Sequence, residues 1–286
     1  MNEAAKFSIL IPSWNNLDYV RLCFDSIKKN SRYQHQLILH INDGSDGTLQ
    51  WAKDQGIDHT HSVDNIGICL ALNQAASLAK TDYIVYMNDD MYVCPDWDLY
   101  LWEEISSLNH NQFFISSTMI EPTDTGNACV IGGKNFGTNT DEFREQDLLE
   151  QYASLPMNDW QGATWPPNIV HKSMWDLVGG YSIELSPGMY SDPDFSMKLW
   201  KCGVRYFKGL AKSRVYHFQC KSTGRKIQLN PGRKQFLSKW GMASSTFMRE
   251  YLGIGKPFVG PIPNPDENGS LKKRLRLDKI KRRLSA

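Results

Sequence analysis

The stretch 81–96 constrains the fold of this chain most strongly, because a short apolar run in it ends in three polar residues. Residues 83–87 show no polar alternation, which is typical of a parallel strand covered on both faces. Asn88, Asp89 and Asp90 follow directly. Buried carboxylates repel each other and lose hydration unless a cation or partner compensates them. Since ligands bind at the carboxyl ends of such strands, the pattern indicates a ligand or metal site, although a loop or helix cap explains Asp89 and Asp90 equally well.

Strand-like and helix-like segments alternate through the first hundred residues. Apolar, β-branched runs predict strands at 7–12, 36–41, 59–63 and 83–87. Apolar residues at helical spacing predict helices at 17–29, 48–55 and 68–79. This alternation predicts a parallel, doubly wound sheet, flanked by helices as in a Rossmann-like α/β fold. Polar clusters also follow the first two strands, so three polar strand ends are expected to outline a binding cleft at one edge.

The second half of the chain is less regular. A helix is predicted at 97–108, a strand at 112–120 and a Gly- and Asn-rich loop region at 121–140. Asp194 is placed to cap a helix at 195–202, and two strands are expected at 204–207 and 212–218. From Pro231, apolar residues predict a helical segment that packs back on the body. A Gly/Pro-rich stretch, 253–265, separates this segment from the end of the chain.

Charge is distributed unevenly along the chain. Residues 271–286 hold eight Lys or Arg and one acid, a net +7, and the chain's total of +1 leaves −6 for the rest. If 275–284 is helical, Leu277, Ile280 and Leu284 share a stripe among cations, which is typical of a helix at a membrane interface. A solvated, disordered tail is the alternative. Nucleic acid is not expected as a partner, because the body is acidic and the tail lacks interleaved aromatic residues.

Targeting and cysteine patterns favour the cytoplasm. The beginning of the sequence does not resemble a signal peptide, and no stretch approaches the ~20 apolar residues of a spanning helix. Six cysteines are scattered without a CxxC pair, which favours free thiols in a reducing compartment over disulfides or zinc. We therefore expect a cytoplasmic protein, peripheral on the membrane if the tail binds there.

Several motifs in order resemble the inverting glycosyltransferases of family 2, which have the GT-A fold. Asn42-Asp43-Gly44-Ser45 resembles the family's Asp-Asp-Gly-Ser signature, and Asn88-Asp89-Asp90 falls where the family keeps its DxD motif. The sequence Gly179-Gly180-Tyr181, followed by Ser191-Asp192-Pro193-Asp194, resembles the elements of the acceptor half. The similarity covers roughly 7–218. Each motif alone is weak, and their order and spacing make the set specific.

The resemblance implies a domain organisation. A GT-A catalytic domain would span 1–220, with a nucleotide-sugar-binding half at 1–100 and an acceptor half at 101–220. A helical extension at 221–265 would pack on the core, and a basic tail would occupy 266–286.

The resemblance also implies roles for individual residues. Asp192 would be the catalytic base, and Mn²⁺ or Mg²⁺ would bind Asp90, Asn88 and His217. The donor would be contacted by Pro12, Ser13, Asn15, Asn42, Asp43, Gly44, Asn65, Gly67, Asn73, Asn88 and Asp89. The acceptor would be contacted by Trp165, Gly180, Tyr181 and Asp194.

These roles together imply a metal-dependent transfer of a sugar from a nucleoside-diphosphate donor to a hydroxyl of a glycan or lipid-linked acceptor. A UDP- or dTDP-sugar is expected over a GDP-sugar, and Asn15 and Asp43 would contact the uracil or thymine edge and the ribose. An anionic membrane surface is a further expected partner of the tail.

Departures from the family pattern keep two other functions open. Asn42, Asn88 and Ser191 each stand where the family usually has an acid, and the departures at Asn88 and Ser191 keep open a silent nucleotide-sugar-binding protein. A sugar nucleotidyltransferase is the other, but it would need a Gly-rich phosphate loop after the first strand, where residues 12–16 contain no glycine.

Overall fold

The computed structural model describes residues 4–220, 229–266 and 268–285. Their strands join into one sheet, in the spatial order β3-β2-β1-β4-β9-β6-β10-β5, with β7 beside β6 and β8 beside β10. The strands are β1 Ser8–Trp14, β2 Gln36–Asn42, β3 Asp58–Ser62, β4 Tyr83–Tyr86, β5 Met91–Val93, β6 Phe113–Ile120, β7 Val130–Ile131, β8 Trp160–Gln161, β9 Asn168–His171 and β10 Tyr206–His217.

Helices cover both faces of this sheet. The α-helices are α1 Leu17–Asn30, α2 Thr48–Asp54, α3 Gly67–Ala76, α4 Trp97–Ser106, α5 Glu145–Gln151, α6 Lys172–Val178, α7 Ser191–Lys201, α8 Gly232–Trp240, α9 Ser244–Thr246 and α10 Gly269–Ser285. Short 3₁₀ turns lie at Tyr152–Ser154 and Ile183–Leu185, and a π-helical turn lies at Phe247–Tyr251. No helix in the described part of the chain has both the length and the apolar character needed to cross a bilayer.

The predicted parallel sheet of the first hundred residues is confirmed. β3, β2, β1 and β4 are parallel neighbours, and α1, α2 and α3 connect strands among them. Consecutive residues of β1 point to opposite sides: Leu10 joins one core cluster, whereas Ile9 and Ile11 join the other. Burial on both faces explains why these strands read as continuous apolar runs.

The second half of the sheet is mixed. β9 runs antiparallel to both β4 and β6, and so joins the parallel strands of the first half to those of the second. β10 then runs parallel to β6 and antiparallel to β5. As a result, β5, which follows Asn88-Asp89-Asp90, lies at the far edge of the sheet from β3.

Three local predictions were wrong in detail. The two strands expected between 204 and 218 are the single strand β10, whose register to β6 shifts between Leu210 and Arg214. The expected helix at 195–202 begins earlier, at Ser191, so Asp194 lies within its first turn and does not cap it. The loop region 121–140 contains the two-residue strand β7.

The C-terminal region is helical and docks on the body. α8 packs through Phe236 in the core, as the apolar spacing after Pro231 predicted. α10 packs against α8 and buries Leu271 and Asp278, so it is not a solvated tail. Residues 221–228, where the predicted extension begins, lie outside the described residues. The proposed division into catalytic halves, extension and tail stays a prediction.

Asp278 fixes α10 to the segment after α8. Its Oδ2 accepts hydrogen bonds from the Ala243 backbone N–H, at 3.0 Å, and from the Thr246 hydroxyl, at 2.7 Å. The carboxylate is only 3% exposed, so both donors depend on it.

We predict that Asp278→Ala lowers the free energy of unfolding by about 2–3 kcal/mol, because two buried donors lose a charged acceptor. Urea unfolding followed by tryptophan fluorescence measures the change. Lys279→Ala, an exposed neighbour on the same helix, is the control and should change stability by less than about 0.5 kcal/mol. Equal effects of the two substitutions would contradict this role for Asp278.

Candidate active site

A cleft of about 780 Å³ opens at the carboxyl ends of the parallel strands. Its walls come from the ends of β1, β2, β4 and β10, the start of α3 and the loop before α7. The lining residues are Pro12, Ser13, Trp14, Asn16, Tyr19, Asn42, Asn65, Gly67, Ile68, Asn88, Asp89, Asp90, Pro187, Gly188, Met189, His217, Gln219, Cys220 and Leu229. The predicted cleft at three polar strand ends is thus present in the structure.

Asp89 and Asp90 lie side by side on this wall but in different environments. Asp90 is buried, and its Oδ2 accepts a hydrogen bond of 2.8 Å from the Cys220 backbone N–H. Although burial alone would raise the pKa of Asp90, its interaction with His217 lowers that pKa. Burial and the adjacent charge of Asp90 raise the pKa of Asp89. Asp90 is therefore the ionised carboxylate of the pair.

His217 lies between two carboxylates at the end of β10. Its Nε2 is 3.4 Å from Asp90 Oδ1, and its Nδ1 is 2.8 Å from Glu121 Oε1. Burial disfavours the imidazolium, but the two carboxylates outweigh this effect and raise the pKa of His217 to about 10. Before a cation binds, His217 is therefore positively charged and balances its neighbours.

The sheet register explains this arrangement. β10 pairs with β6 as far as Tyr216 opposite Ile120, so the next residues, His217 and Glu121, emerge together. On its other side β10 pairs His217 with Met91, the residue after Asp90. Three chain segments distant in sequence therefore converge on one imidazole.

Asp90, His217 and Asn88 fit a hard divalent cation that is shared with a substrate. No group of three or more His, Cys, Asp or Glu within the described ranges could hold a metal alone. Asp90 Oδ1 and His217 Nε2 are close enough to act as two ligands, and the partly buried Asn88 lines the same wall. Mg²⁺ is commonly held by one or two carboxylates together with substrate phosphates, so this short ligand set suits a metal completed by a phosphorylated ligand.

The side of the cleft that was predicted to bind the nucleotide is built from β1 and β2. The Asn42 amide donates to the Ser13 carbonyl, at 3.2 Å, and its oxygen accepts from the Ile66 backbone N–H, at 2.9 Å. Asn15 Nδ2 donates to Asp43 Oδ2 at 2.8 Å, which ties the two strand exits together. Asn42 lines the cleft, whereas Asn15 and Asp43 lie beside it.

The two halves of the site meet at the start of α3. Gly67 has a φ of +76°, and a Cβ there would lie 2.5 Å from Pro187 Cα. The next residue, Ile68, donates its backbone N–H to the Pro187 carbonyl at 2.8 Å. This close approach, which only glycine permits, sets the loop before α7 against the nucleotide half.

Asp192 follows this loop, in the first turn of α7. Its Oδ1 accepts a hydrogen bond of 3.3 Å from the Tyr181 hydroxyl. Burial raises the pKa of Asp192 to about 7, and the Tyr181 hydrogen bond only partly opposes this. The Asp192 charge also contributes to raising the pKa of Tyr86, at the end of β4, after the larger effect of burial. Asp192 is thus a carboxylate that changes its protonation state near pH 7, and it does not itself line the cleft.

Five residues expected to contact a donor or acceptor have structural roles here. Asn73 donates to the Tyr181 carbonyl and accepts from its N–H, both at 2.8 Å, so it ties α3 to the acceptor half. Gly180 packs against Asn73, and Tyr181 is 1% exposed. Gly44 packs closely against Ile41 and Leu49.

Asp194 is the fifth, and it is fully buried. Its carboxylate accepts from the Ser182 hydroxyl at 2.6 Å and the Trp240 indole at 2.7 Å, and it lies 3.0 Å from Lys239 Nζ. The acceptor contact predicted for Asp194 is not what this arrangement provides, because its oxygens are already engaged by α8. Trp165 is partly buried against the core cluster beneath β1 and β4 and does not line the cleft.

Sequence reasoning missed Glu121. It is 6% exposed, and besides contacting His217 it accepts a hydrogen bond of 2.9 Å from Gln219 Nε2. The signal was available: Glu121 directly follows a buried strand, as Asp89 and Asp90 nearly do. The loop residues Pro187–Met189 and the aromatic Tyr19 were also missed, because nothing in their local pattern points to a ligand.

Comparisons with known proteins agree with this arrangement. The family model described as Glycosyl transferase family 2 matches residues 8–151, which include the strand ends of the nucleotide side and Asp90. None of the curated protein sequences compared with the chain matches it.

Solved structures resemble the whole chain. S. aureus TarS 1-349 in complex with UDP-GlcNAc has a TM-score of 0.60 and 13% identity, with 98% of this chain and 73% of that chain covered. GalNAc-T7 with UDP, GalNAc and Mn²⁺ has a TM-score of 0.63 and 16% identity, with 98% of this chain and 55% of that chain covered. At such identities the likeness concerns the fold alone.

We predict that Gly67→Ala destabilises the protein more than Gly126→Ala. Both positions have similar positive φ, +76° and +71°, so both pay the left-handed backbone cost of about 1–2 kcal/mol. A Cβ at Gly126 meets nothing within 4 Å, whereas one at Gly67 collides with the Pro187 backbone. The collision should add about 1–3 kcal/mol, measured by urea unfolding. Equal losses in the two variants would show that the Gly67–Pro187 approach is not constrained.

Proposed function

The chain belongs to glycosyl transferase family 2 and has the GT-A fold that its motifs predicted, and from this premise we propose that it is a metal-dependent, inverting glycosyltransferase. It moves a sugar from a nucleoside-diphosphate donor to an acceptor hydroxyl in a single displacement. The observation that carries the proposal is the combination of two chemistries at one site: carboxylate and imidazole groups that line the cleft, and a further carboxylate that follows the cleft-lining loop Pro187–Met189. Asp90 and His217 lie together on the cleft wall and would bind a cation that in turn holds the anionic diphosphate. Asp192 supplies a carboxylate with a pKa of about 7.

The donor is proposed to be a UDP- or dTDP-sugar. Asn15 and Asp43, beside the cleft, present amide and carboxylate groups that suit the polar edge of a pyrimidine base. TarS and GalNAc-T7, which share the fold, have structures with UDP-GlcNAc and with UDP, GalNAc and Mn²⁺. The donor's diphosphate would lie near Asn88, Asp89 and Asp90, the part of the cleft lining that contains two adjacent carboxylates.

Mn²⁺ or Mg²⁺ held by Asp90, Asn88 and His217 would neutralise the negative charge that develops on the leaving diphosphate. For His217 to bind the cation, it has to release its proton. Glu121 then orients the neutral ring by accepting from Nδ1, which leaves Nε2 facing the site.

Asp192 is proposed as the general base. As the acceptor oxygen forms its bond to the anomeric carbon, Asp192 takes the hydroxyl proton, and the bond between that carbon and the diphosphate oxygen breaks. Tyr181 holds one carboxylate oxygen by its hydroxyl and leaves the other for the proton. A base with a pKa near 7 is half ionised at neutral pH and strong enough to accept a proton there.

The acceptor is proposed to be a glycan or lipid-linked glycan. Met189 and Leu229 line the cleft and are 43% and 64% exposed, so its rim offers apolar side chains to an acceptor with an apolar portion. We also propose that the protein is cytoplasmic. Its buried thiols Cys23, Cys69, Cys94 and Cys129 are free, as suits a reducing compartment.

A thermal-shift panel of UDP-, dTDP- and GDP-sugars with Mn²⁺ identifies the donor class, because a ligand that binds the native state raises the melting temperature. Transfer or hydrolysis of the selected donor is then measured. Tight donor binding without turnover would contradict the enzymatic proposal and favour a silent nucleotide-sugar-binding protein.

We predict that Asp192→Asn lowers kcat by about 10²- to 10⁴-fold, because the acceptor loses its base, and leaves donor binding nearly unchanged. In the unmodified enzyme, kcat/KM should rise with pH through about 7 and level off above it, since only ionised Asp192 accepts the proton. The rising limb should vanish in the variant and persist in Asp141→Asn, an exposed control. A pH profile unchanged by Asp192→Asn would assign the base elsewhere.

We predict that Asp90→Asn weakens Mn²⁺ binding about tenfold or more in the presence of UDP, because the cation loses its charged ligand. Titration calorimetry with UDP and Mn²⁺ measures this without reference to turnover. Asp25→Asn, which removes an exposed carboxylate of α1, should bind Mn²⁺ as the parent does. Identical Mn²⁺ affinity in the parent and Asp90→Asn would exclude Asp90 as a ligand.

A further inference from the structure

α10 carries two different stripes on opposite sides. Residues three or four apart share a face of an α-helix. Leu271, Leu275 and Asp278 form the docked stripe: Leu271 is 2% and Asp278 3% exposed, and Leu275 packs on the core. This stripe accounts for how the helix is held on the body.

The second stripe faces solvent. Leu277, Ile280 and Leu284 follow the same spacing and are 47%, 52% and 84% exposed. At 3.6 residues per turn, Ile280 lies half a turn from Leu271 around the helix axis. Three large apolar side chains in a row on an outward face are costly to hydrate unless something covers them.

Cations surround this outward stripe. Lys273 continues it by one turn, Arg276 and Arg283 lie along one side, and Lys281 lies along the other. All four side chains are exposed. A fifth cation, Arg274, pairs with Glu250 of the body at 3.1 Å, and of the four outward cations Lys281 approaches Asp278 at 4.0 Å.

We propose that the outward face of α10 binds an anionic lipid surface. Apolar side chains at the centre of a helix face, with Lys and Arg along its edges, match the depth profile of a bilayer interface, where acyl chains lie beneath anionic headgroups. A protein partner would be expected to offer acidic side chains in register, but a lipid surface requires only the general pattern seen here.

Charge complementarity favours this occupant. Residues 271–286 carry +7, whereas the rest of the chain carries −6. The body is therefore repelled by an anionic surface and α10 is attracted to it, which orients the molecule with this helix toward the lipid.

α8 connects this surface to the cleft. At its start, Asn230 accepts a hydrogen bond of 3.0 Å from the backbone N–H of Met189, a cleft residue. At its end, Gly241 lies beside the Arg282 guanidinium of α10. A helix of nine residues spans about 13 Å. When α10 lies on a lipid surface, α8 therefore keeps the rim of the cleft close to that surface.

Vesicle flotation of the full chain tests the proposal without any nucleotide-sugar, so its outcome is independent of the transfer reaction. We expect flotation with vesicles of equal parts phosphatidylcholine and phosphatidylglycerol, and none with phosphatidylcholine alone. The triple variant Leu277→Ser, Ile280→Ser, Leu284→Ser should reduce the bound fraction about tenfold or more. Lys273→Glu, Arg276→Glu, Arg283→Glu should reduce it further, since each cation near such a surface contributes about fivefold.

Leu177→Ser with Val259→Ser is the matched control. Both residues are highly exposed apolar side chains outside α10, at 64% and 87%, and the double variant should float as the parent does. Thermal unfolding by circular dichroism shows that each variant remains folded. Flotation unaffected by the α10 serine variant overturns the proposal, as does equal behaviour on the two vesicle types.

A single-stranded RNA oligonucleotide provides the alternative polyanion. If RNA binds as tightly as the vesicles, and both survive the serine substitutions, then α10 is a general polyanion site and the lipid proposal is wrong. Binding to anionic vesicles that requires both the apolar and the cationic residues supports it.

Discussion

His217 balances the charge of the cleft, because it lies between the buried carboxylates of Asp90 and Glu121. One imidazolium against these two groups leaves an excess of negative charge, and Asp89 adds to it when ionised. Under the proposed function, such a wall would attract a divalent cation, and the bound cation would attract the donor's diphosphate. The same interaction holds the end of β10 to the start of β5 and the end of β6. Charge balance and strand packing therefore meet at His217, since the imidazole is a partner of both buried carboxylates.

A second set of contacts places Asp192 relative to that wall. Gly67 brings α3 against Pro187, and Asn73 of the same helix holds Tyr181 by two backbone hydrogen bonds. Tyr181 in turn hydrogen-bonds Asp192. The first two turns of α3 thus connect the cleft-lining residues Gly67 and Pro187 to the candidate base through Asn73 and Tyr181, which lie outside the cleft lining.

The parts of this architecture that depend on local periodicity were predictable from sequence. The parallel strands and the polar residues at their ends follow from continuous apolar runs and from the geometry of parallel sheets. Glu121 and Asp194 were not placed correctly, for different reasons. The position of Glu121 after a buried strand was visible in the sequence, but its contact with His217 depends on the register of β6 and β10, which no local pattern encodes. Asp194 looks like a helix cap in sequence, but burial against Ser182, Lys239 and Trp240 satisfies its carboxylate better than a solvated cap could.

Asp194 also explains why the C-terminal helices belong to the site. The buried carboxylate lies two residues from Asp192, and its partners Lys239 and Trp240 belong to α8, so α8 fixes the first turn of α7. α10 in turn packs on α8 and is held by Asp278. A series of packed contacts therefore runs from α10 through Asp278, α8 and Asp194 to the helix that carries the candidate base. A helix that served only to cover the core would need its docked stripe alone. The outward stripe of α10 has no such packing role, and under the proposed lipid contact it would set how the cleft is oriented toward the membrane.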